Sequence, residues 1–182
     1  MATYKNTAGT ANPEKRDKPR VNVLRGYPGN ETTALTRWLP YAVAIKSGQA
    51  IAVGAGGNAG KWVLATDSHA ANKVFIAYHD SSDPDVISCG KLLGFSALGG
   101  FELETGYYAG AVADGDAITV SNSTPGTLVK DAGAGKPVIG YATSAPIDYS
   151  TGAYDASIPN MARNTEAAAG ADSTVLRMAT GA

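Results

Sequence analysis

Cysteine and histidine are scarce in this sequence, and their scarcity excludes several kinds of site. Cys89 is the only cysteine among 182 residues, so no disulfide forms within the chain and no zinc site can be built from thiolates. His69 and His79 are the only histidines. No serine lies in a Gly-x-Ser-x-Gly turn, and nothing in the sequence selects a catalytic triad. We therefore expect no enzyme, no cofactor and no metal site.

Bulky apolar side chains are also few. Hydrophobic residues make up 44% of the chain, but 32 residues are alanine, against 3 Phe and 2 Trp. Because alanine buries little area, we expect a thin core whose burial is completed by a partner or an oligomer. No apolar run is long enough to cross a membrane, and the first residues lack the apolar stretch of a signal peptide. We therefore expect a protein that is made in a cytoplasm.

A thirteen-residue pattern occurs twice in the chain. Residues Tyr41–Val53 and Tyr108–Val120 are identical at seven of thirteen positions, with a constant offset of 67. Each copy is predicted to form a strand, a tight turn at Gly48 or Gly115, and a second strand. The 22 glycines and 9 prolines favour turns over long helices. We therefore predict an all-β fold built on a duplicated strand-turn-strand unit.

The sequence divides into three predicted regions. Residues 1–40 form a basic N-terminal arm and a lead-in strand, residues 41–143 form the β body, and residues 144–182 form an irregular C-terminal extension. The first copy of the repeat is followed by a longer segment than the second, and we assign the excess to the strand and loop of residues 73–85. Residues 174–178 are the last strand candidate.

Charge is distributed unevenly along the chain, although the net charge is −1. Residues 1–40 carry seven basic and three acidic residues, a net of +4, whereas residues 41–182 carry eight basic and thirteen acidic residues, a net of −5. Residues 1–20 are polar and show no apolar period, so we interpret them as an arm that is disordered when free. A basic arm is typical of a segment that docks on an acidic surface. The alternative is a solvated tail.

Nucleic acid is not favoured as the partner of this arm. Its basic residues have no aromatic residues interleaved among them, and the whole chain is slightly acidic. Docking on a protein surface fits better, because apolar residues of the arm can add a strand to an exposed sheet edge. The basic residues that could dock are Lys15, Arg16, Lys18, Arg20 and Arg25.

Two glycine-rich stretches resemble nucleotide-binding loops only in part. Residues 54–59 match Gly-x-Gly-x-x-Ala after an apolar strand, but a strand-like segment follows where a dinucleotide site needs a helix. We interpret them as a hairpin connection. Residues 133–137 have the wrong spacing for a phosphate loop, and Pro137 stands where a Ser or Thr would bind magnesium. We interpret these residues as a turn before a strand.

Acidic residues are the remaining candidates for chemistry. They cluster in two loops, at Asp80, Asp83 and Asp85 and at Asp114 and Asp116. Neither loop has the glycine and distal glutamate that a strong calcium motif requires, so we interpret them as solvated carboxylates. Glu102 and Glu104 fall on the same side of a predicted strand, where two exposed carboxylates are commoner than an acid/base pair.

The second copy of the repeat and the residues after it resemble the head decoration proteins of tailed bacteriophages, also called capsid cement proteins. The resemblance is carried by the strand-turn-strand of Tyr108–Val120, by Gly126–Ala132 and by the strand Val138–Ala142. It covers residues 41–143. The long first copy and the C-terminal extension depart from the compact members of that family.

The resemblance implies a structural virion protein without catalytic activity. It implies a small β-barrel or β-tulip body that lies on the outer capsid surface, commonly as a trimer, and clamps neighbouring major capsid subunits through an N-terminal arm. No membrane or nucleic-acid partner is implied. We assign capsid binding to the basic residues of the arm named above, Lys15, Arg16, Lys18, Arg20 and Arg25, with Trp38 as an anchor.

A β-rich carbohydrate-binding module or surface adhesin is the alternative hypothesis. It would use Tyr149, Tyr154 and the loop that follows the first copy of the repeat. A glycan screen separates the two hypotheses, because a capsid decoration protein need show no specific sugar binding. An enzyme is the weakest interpretation.

Overall fold

The computed structural model describes residues 22–25, 36–100, 102–133, 135–148 and 174–181, with the backbone alone at residues 22–25, 148 and 174. The described elements are almost all strands, and the predicted all-β class is therefore confirmed. One α-helix, α1 (Pro84–Cys89), and two 3-10 turns, Gly56–Asn58 and Ala71–Lys73, are also described. The strands are β1 (Asn22–Arg25), β2 (Thr36–Leu39), β3 (Ala50–Val53), β4 (Trp62–Leu64), β5 (Val74–Ala77), β6 (Leu92–Ser96), β7 (Glu102–Thr105), β8 (Tyr108–Ala109), β9 (Ala117–Val120), β10 (Leu128–Lys130), β11 (Gly140–Ala142), β12 (Ile147–Asp148) and β13 (Thr174–Thr180).

The strands form two sheets. Sheet A has eight strands in the order β1-β7-β13-β11-β9-β10-β8, with β12 paired to β13 beside this path. Sheet B has five strands in the order β2-β6-β5-β3-β4. Within the described residues each sheet is open, with an edge strand at each end. The expected closed barrel is therefore not confirmed.

The main core lies between the two sheets. It is a cluster of buried residues from both, including Ile76 and Phe95 of sheet B and Leu103, Ile118 and Leu176 of sheet A. Because successive residues of a strand point to opposite faces, the other face of sheet B carries a second apolar set. That set, which α1 helps to cover, comprises Ile45, Ile51, Trp62, Phe75, Ala77, Val86 and Leu92.

Five strands of sheet A lie in the same relative order as the five strands of sheet B. Taken along the chain, β2, β3, β4, β5 and β6 occupy the positions that β7, β9, β10, β11 and β13 occupy in sheet A. The registers also correspond. Val53 pairs with Trp62 in sheet B, and Val120 pairs with Leu128 in sheet A.

The segments before the glycine turns pair in corresponding ways. Tyr41 forms a parallel bridge to Trp62, and Tyr108 pairs in parallel with Leu128. The residues on the two sides of each turn therefore do not form a hairpin with each other. The segment before the turn lies beside β4 in sheet B and beside β10 in sheet A.

The two glycine turns make equivalent backbone contacts. Gly48 and Gly115 have positive φ values of 91° and 79°. The Gly48 amide donates to the Ala77 carbonyl at 2.7 Å, and the Gly115 amide donates to the Ala142 carbonyl at 2.9 Å. The Gly48 turn is thus bonded to β5, the neighbour of β3, and the Gly115 turn is bonded to β11, the neighbour of β9.

A side-chain oxygen closes each turn in the same way. Gln49 Oε1 accepts a hydrogen bond from the Lys46 amide at 2.8 Å, and Asp116 Oδ2 accepts one from the Ala113 amide at 2.7 Å. These four residues are two pairs at the offset of 67 that separates the sequence repeats. The side chain after the glycine therefore fixes the turn in both sheets.

Two assignments made from the sequence need correction or extension. The strand at residues 74–77 is not an extra element of the first copy, because β5 lies between β3 and β6 and β11 holds the same position in sheet A. The extra residues of the first copy are instead those that follow β5 and include α1. The predicted strand at 174–178 is confirmed as β13, which lies inside sheet A between β7 and β11.

Candidate functional site

The basic residues assigned to capsid docking are largely outside the described structure. Lys15, Arg16, Lys18 and Arg20 lie outside the described residues, and Arg25 is described as backbone only, at the end of β1. The β1 strand pairs antiparallel with β7. The docking role of these five residues stays a prediction.

Trp38, the predicted anchor, lies on the edge strand of sheet B and is 51% exposed. Its indole ring lies 5.9 Å from the His79 ring, and the His79 ring meets the Tyr78 ring edge-on at 4.7 Å. Tyr78 is also exposed, and its ring contacts the buried ring of Phe95 at 5.0 Å. We call Trp38, Tyr78 and His79 the aromatic patch.

Sequence order explains how the aromatic patch forms. Tyr78 follows the last residue of β5, and its amide donates to the Leu93 carbonyl of β6 at 2.9 Å. Leu93 pairs on its other side with Trp38. Tyr78 and Trp38 therefore flank Leu93 of β6, one on each side, and their side chains share a face of sheet B.

The patch is connected to the turn that precedes α1. His79 Nδ1 lies 3.8 Å from Asp83 Oδ2, and Asp83 is the residue before the helix. Asp80 is buried, and its Oδ1 accepts a hydrogen bond from the Ser47 amide at 2.7 Å. These contacts fix the loop after Tyr78 against the Gly48 turn, which holds the patch in place.

Sequence reasoning identified Trp38 but missed Tyr78 and His79 as its neighbours. The sequence could not show that β6 brings Tyr78 beside β2, because Tyr78 and β2 are distant in the chain. Arg37, the residue before Trp38, points to the other face, where its guanidinium lies 5.7 Å from the centre of the Phe75 ring. The edge therefore presents aromatic groups on one face and a cation on the other.

The loop carboxylates have structural contacts. Asp85 and Asp114 are exposed, as expected, but Asp80 is buried and bonded to backbone. Asp116 accepts from the Ala113 amide and forms an ion pair with Lys130 at 2.7 Å. In the described part of the chain, no group of three or more His, Cys, Asp or Glu residues is arranged to hold a metal ion.

Asp116 has a perturbed acidity. The hydrogen bond from Lys130, followed by that from the Ala113 amide, lowers the pKa of the Asp116 carboxyl below its usual value. Desolvation opposes this shift, and the charge of Lys130 adds to it. The lowered pKa favours the charged carboxylate, which accepts the hydrogen bond that closes the turn before β9.

The interpretation of Glu102 and Glu104 as two exposed carboxylates is wrong for Glu104. The Glu104 side chain is 1% exposed and accepts two hydrogen bonds from Arg177, at 2.6 Å from Nη2 and 3.1 Å from Nε. Glu104 and Arg177 are direct cross-strand partners on β7 and β13. Glu102 Oε1 accepts from the Thr143 hydroxyl at 3.0 Å. Both carboxylates therefore have structural contacts within sheet A.

The glycine-rich stretches are connections, as interpreted from the sequence. Residues 54–61 join β3 to β4, which pair antiparallel, and the short element within them is a 3-10 turn. Lys136 forms an ion pair with Asp67 at 2.9 Å. Neither stretch leads into an α-helix of the kind a phosphate site needs.

Comparison with known proteins gave no match. The chain matches no protein-family model, no curated protein and no solved structure. In the described residues no helix is both long and apolar enough to traverse a bilayer. The arguments below therefore depend on the chain's own residues, and the aromatic patch is the best-defined candidate for binding.

Proposed function

We propose that this chain is a structural virion protein that binds the outside of an assembled phage capsid and stabilises it by bridging neighbouring major capsid subunits. The observation that carries this proposal is the position of Trp38. It is a half-exposed indole on an edge strand, and it follows the basic segment of the chain closely. An exposed aromatic anchor beside a basic segment is a favourable combination for docking on a protein surface.

Such a protein would stabilise the assembled shell by mass action. A shell is an array of weak contacts, and a part that binds only the assembled form stabilises it at every occupied site. An arm that becomes ordered on binding loses entropy, but several arms on one oligomer compensate through effective concentration. We propose a homo-oligomer, a trimer by the resemblance, with the major capsid protein as partner and the outer capsid surface as location.

We also infer that the body is built from a duplicated unit. Support comes from the shared strand order of the two sheets, from the equivalent bonds of Gly48 and Gly115, and from the Gln49 and Asp116 side chains that close the two turns. The β-barrel or β-tulip of the resemblance would require pairing beyond that of the described strands. The proposed function needs only a rigid β body that carries an arm.

Deleting residues 1–20 tests the docking arm. The shortened chain should fold, because every described strand lies after residue 20, and it should no longer sediment with shells of its own virus. Undiminished co-sedimentation would overturn the role of the arm. Absence of the full-length chain from purified virions would overturn the virion assignment itself.

A charge-matched pair of variants refines this test. Arg16→Gln with Lys18→Gln removes two charges from the arm, and Lys61→Gln with Lys73→Gln removes two from exposed positions on the body. Only the arm pair should weaken shell binding, and the difference should shrink at high salt because exposed charges are screened. Equal effects of the two pairs would indicate attraction by net charge alone.

A carbohydrate-binding module is the second candidate, and the aromatic patch is the observation that favours it. Exposed aromatic rings beside polar groups, here His79 and Asp83, form a surface on which a sugar ring can pack and hydrogen bond. Tyr149 and Tyr154 lie outside the described residues. Trp38 is exposed while Trp62 is buried, so saturable quenching of Trp38 fluorescence in a glycan screen would support this candidate.

A further inference from the structure

His79 lies between an indole ring and a carboxylate. Its ring centre is 5.9 Å from that of the Trp38 indole, with an angle of 31° between the two ring planes, and its Nδ1 atom is 3.8 Å from Asp83 Oδ2. Tyr78 packs against it edge-on at 4.7 Å. The His79 side chain is 26% exposed and that of Asp83 is 17% exposed, so charges at this place are screened less than charges at the surface. The charge state of His79 therefore acts on both Trp38 and Asp83.

The carboxylate beside His79 is fixed by the loop that carries it. Asp83 Oδ2 accepts a hydrogen bond from the Asp80 amide at 3.3 Å. The Asp80 carboxylate lies 3.8 Å from Lys46 Nζ through Oδ2, and its Oδ1 accepts from the Ser47 amide at 2.7 Å. The charge of Asp80 is thus balanced by Lys46, and the charge of Asp83 faces the imidazole ring.

The other charged groups on the described elements around His79 are on another face or exposed. Arg37 of β2 lies on the opposite face of sheet B. Asp85 of α1 and Lys91, between α1 and β6, are exposed, and β5 and β6 contain no charged residue. Within the described part of the chain, Asp83 is therefore the carboxylate that can pair with a protonated His79.

His69 is a natural comparison for His79, because these two residues are the only histidines of the chain. Histidine is the side chain whose ordinary titration falls between pH 5 and pH 8. His69 lies in the turn after β4, where its Nδ1 atom accepts a hydrogen bond from the Thr66 amide at 3.1 Å. A titration in this range therefore reports two histidines in different surroundings.

We propose that His79 is a pH switch that sets the order and the charge of the aromatic patch. When the ring gains a proton, the imidazolium is attracted to the Asp83 carboxylate and to the Trp38 indole, whose centre lies within the ~6 Å at which cation–π contacts act. A histidine that gains such partners stabilises the folded chain below its unfolded pKa, about 6.5, and the stabilisation is lost as pH rises through the folded value. The patch therefore has one more positive charge and a more restrained indole at pH 5.5 than at pH 8.

The consequence for docking rests on the proposed function, in which Trp38 anchors the chain and the basic arm docks on an acidic surface. A partner that attracts the arm also attracts the added positive charge of the patch. Docking should thus tighten as pH falls from 8 to 5.5, by up to about fivefold, which is the range of exposed ion pairs. The switch itself needs no partner, and it is tested first without one.

Nitrogen NMR of the imidazole rings in the full chain measures the two titrations separately. His69→Gln and His79→Gln each remove one set of signals and so assign the other. Asp83→Asn should lower the titration midpoint of His79 by about one pH unit, because a nearby opposite charge favours the protonated ring. Asp85→Asn, which removes an exposed carboxylate of the same segment, is the matched control and should leave the midpoint unchanged. A His79 midpoint that Asp83→Asn does not move would overturn the proposal.

Tryptophan fluorescence tests the link to Trp38. A protonated imidazole quenches a neighbouring indole more than a neutral one does, so emission should fall with the His79 midpoint as pH is lowered. Trp38→Phe leaves Trp62, which is buried and donates through Nε1 to the Leu92 carbonyl, and should remove the pH dependence. His69→Gln should keep the pH dependence, and His79→Gln should abolish it. Emission that stays constant in the parent, or that follows the His69 midpoint, would overturn the coupling.

Co-sedimentation with shells at pH 5.5 and pH 8 then tests the regulation of docking. The ratio of the two affinities should be larger for the parent than for His79→Gln, since any effect of pH on the shell is common to both chains. Circular dichroism melts verify that the variants are folded. Equal ratios would overturn the regulation. A parent chain that binds no shell at either pH would overturn the proposed function, whereas the NMR and fluorescence results decide the switch independently.

Discussion

At the level of single residues, Gly48 and Gly115 have the same backbone conformation but different surroundings. Both have positive φ, where an alanine costs about 1–2 kcal/mol. A Cβ on Gly48 would also collide with the Thr105 hydroxyl and lie 3.3 Å from Thr105 Cβ, whereas a Cβ on Gly115 meets nothing within 4 Å. Since Thr105 is buried and donates to the Gly48 carbonyl, it has little freedom to move. Gly48→Ala should therefore lower stability by roughly 3 kcal/mol, and Gly115→Ala by about half as much.

Urea unfolding of the two alanine variants measures this difference directly. Gly115→Ala is the matched control, because it imposes the same backbone strain without the collision. Equal losses of unfolding free energy would show that Thr105 moves aside, and would remove the packing contribution from Gly48.

We expect the turn that Asp116 closes to be sensitive to acid. Its folded pKa is lowered, chiefly by the hydrogen bond from Lys130. A group with a lowered folded pKa stabilises the fold above its unfolded pKa, and the stabilisation is lost as pH falls through the folded value. Asp116→Asn should therefore be less stable than the parent at pH 7, and the difference should shrink below about pH 4.

Thermal melts between pH 2 and pH 7 test this behaviour. Lys130→Ala should reproduce the loss at neutral pH, since it removes the first cause of the shift. A stability difference between the parent and Asp116→Asn that stays constant across the acid range would contradict the assigned role of the carboxylate.

The residue scale also shows what the sequence predicts and what it does not. Alternation correctly placed Glu102 and Glu104 on one side of a strand. It could not show that Glu104 is buried, because the partner Arg177 lies 73 positions away in the chain. Trp38 is half exposed, and its role as an anchor stays a prediction.

At the level of elements, the positions of strands along the chain were easier to predict than the pairing of those strands within the sheets. The strands predicted within residues 73–85 and at residues 174–178 correspond to β5 and β13, because alternation is local. Their positions inside sheets B and A could not be read from the sequence, because each pairs with strands that are distant in the chain. The error over residues 73–85 has this cause.

The β7–β13 pairing contains a buried charge pair whose loss should be costly. Glu104→Gln leaves Arg177 without its carboxylate partner in a largely buried place, and we expect a loss of about 3 kcal/mol. Replacing both Glu104 and Arg177 with leucine leaves no buried charge without a partner. That double variant should therefore recover much of the lost stability.

Unfolding free energies of the two single leucine variants and the double variant form a double-mutant cycle. A coupling energy near zero would show that Glu104 and Arg177 contribute independently. Glu102→Gln, on the same face of β7 and partly exposed, is the control and should have a small effect.

At the scale of the whole molecule, the end of the chain completes the middle of a sheet. The β13 strand pairs with β7 and β11, and its residues Val175, Leu176 and Met178 are fully buried. The predicted body of residues 41–143 therefore lacks a strand that its own sheet contains. Such an arrangement makes folding depend on contacts between residues far apart in sequence, because β7 precedes β13 by about seventy residues.

Removing residues 174–182 should therefore prevent folding, although these residues are few. The truncation exposes the facing edges of β7 and β11 and takes three large side chains out of the core, each worth about 2–5 kcal/mol. Their sum approaches the whole stability of an ordinary domain, about 5–15 kcal/mol. Deletion of residues 1–20 is the matched control, since it removes more residues but no described strand. Near-ultraviolet circular dichroism and a cooperative melt distinguish the two chains. A truncated chain that still melts cooperatively would show that β7 and β11 hold sheet A together without β13.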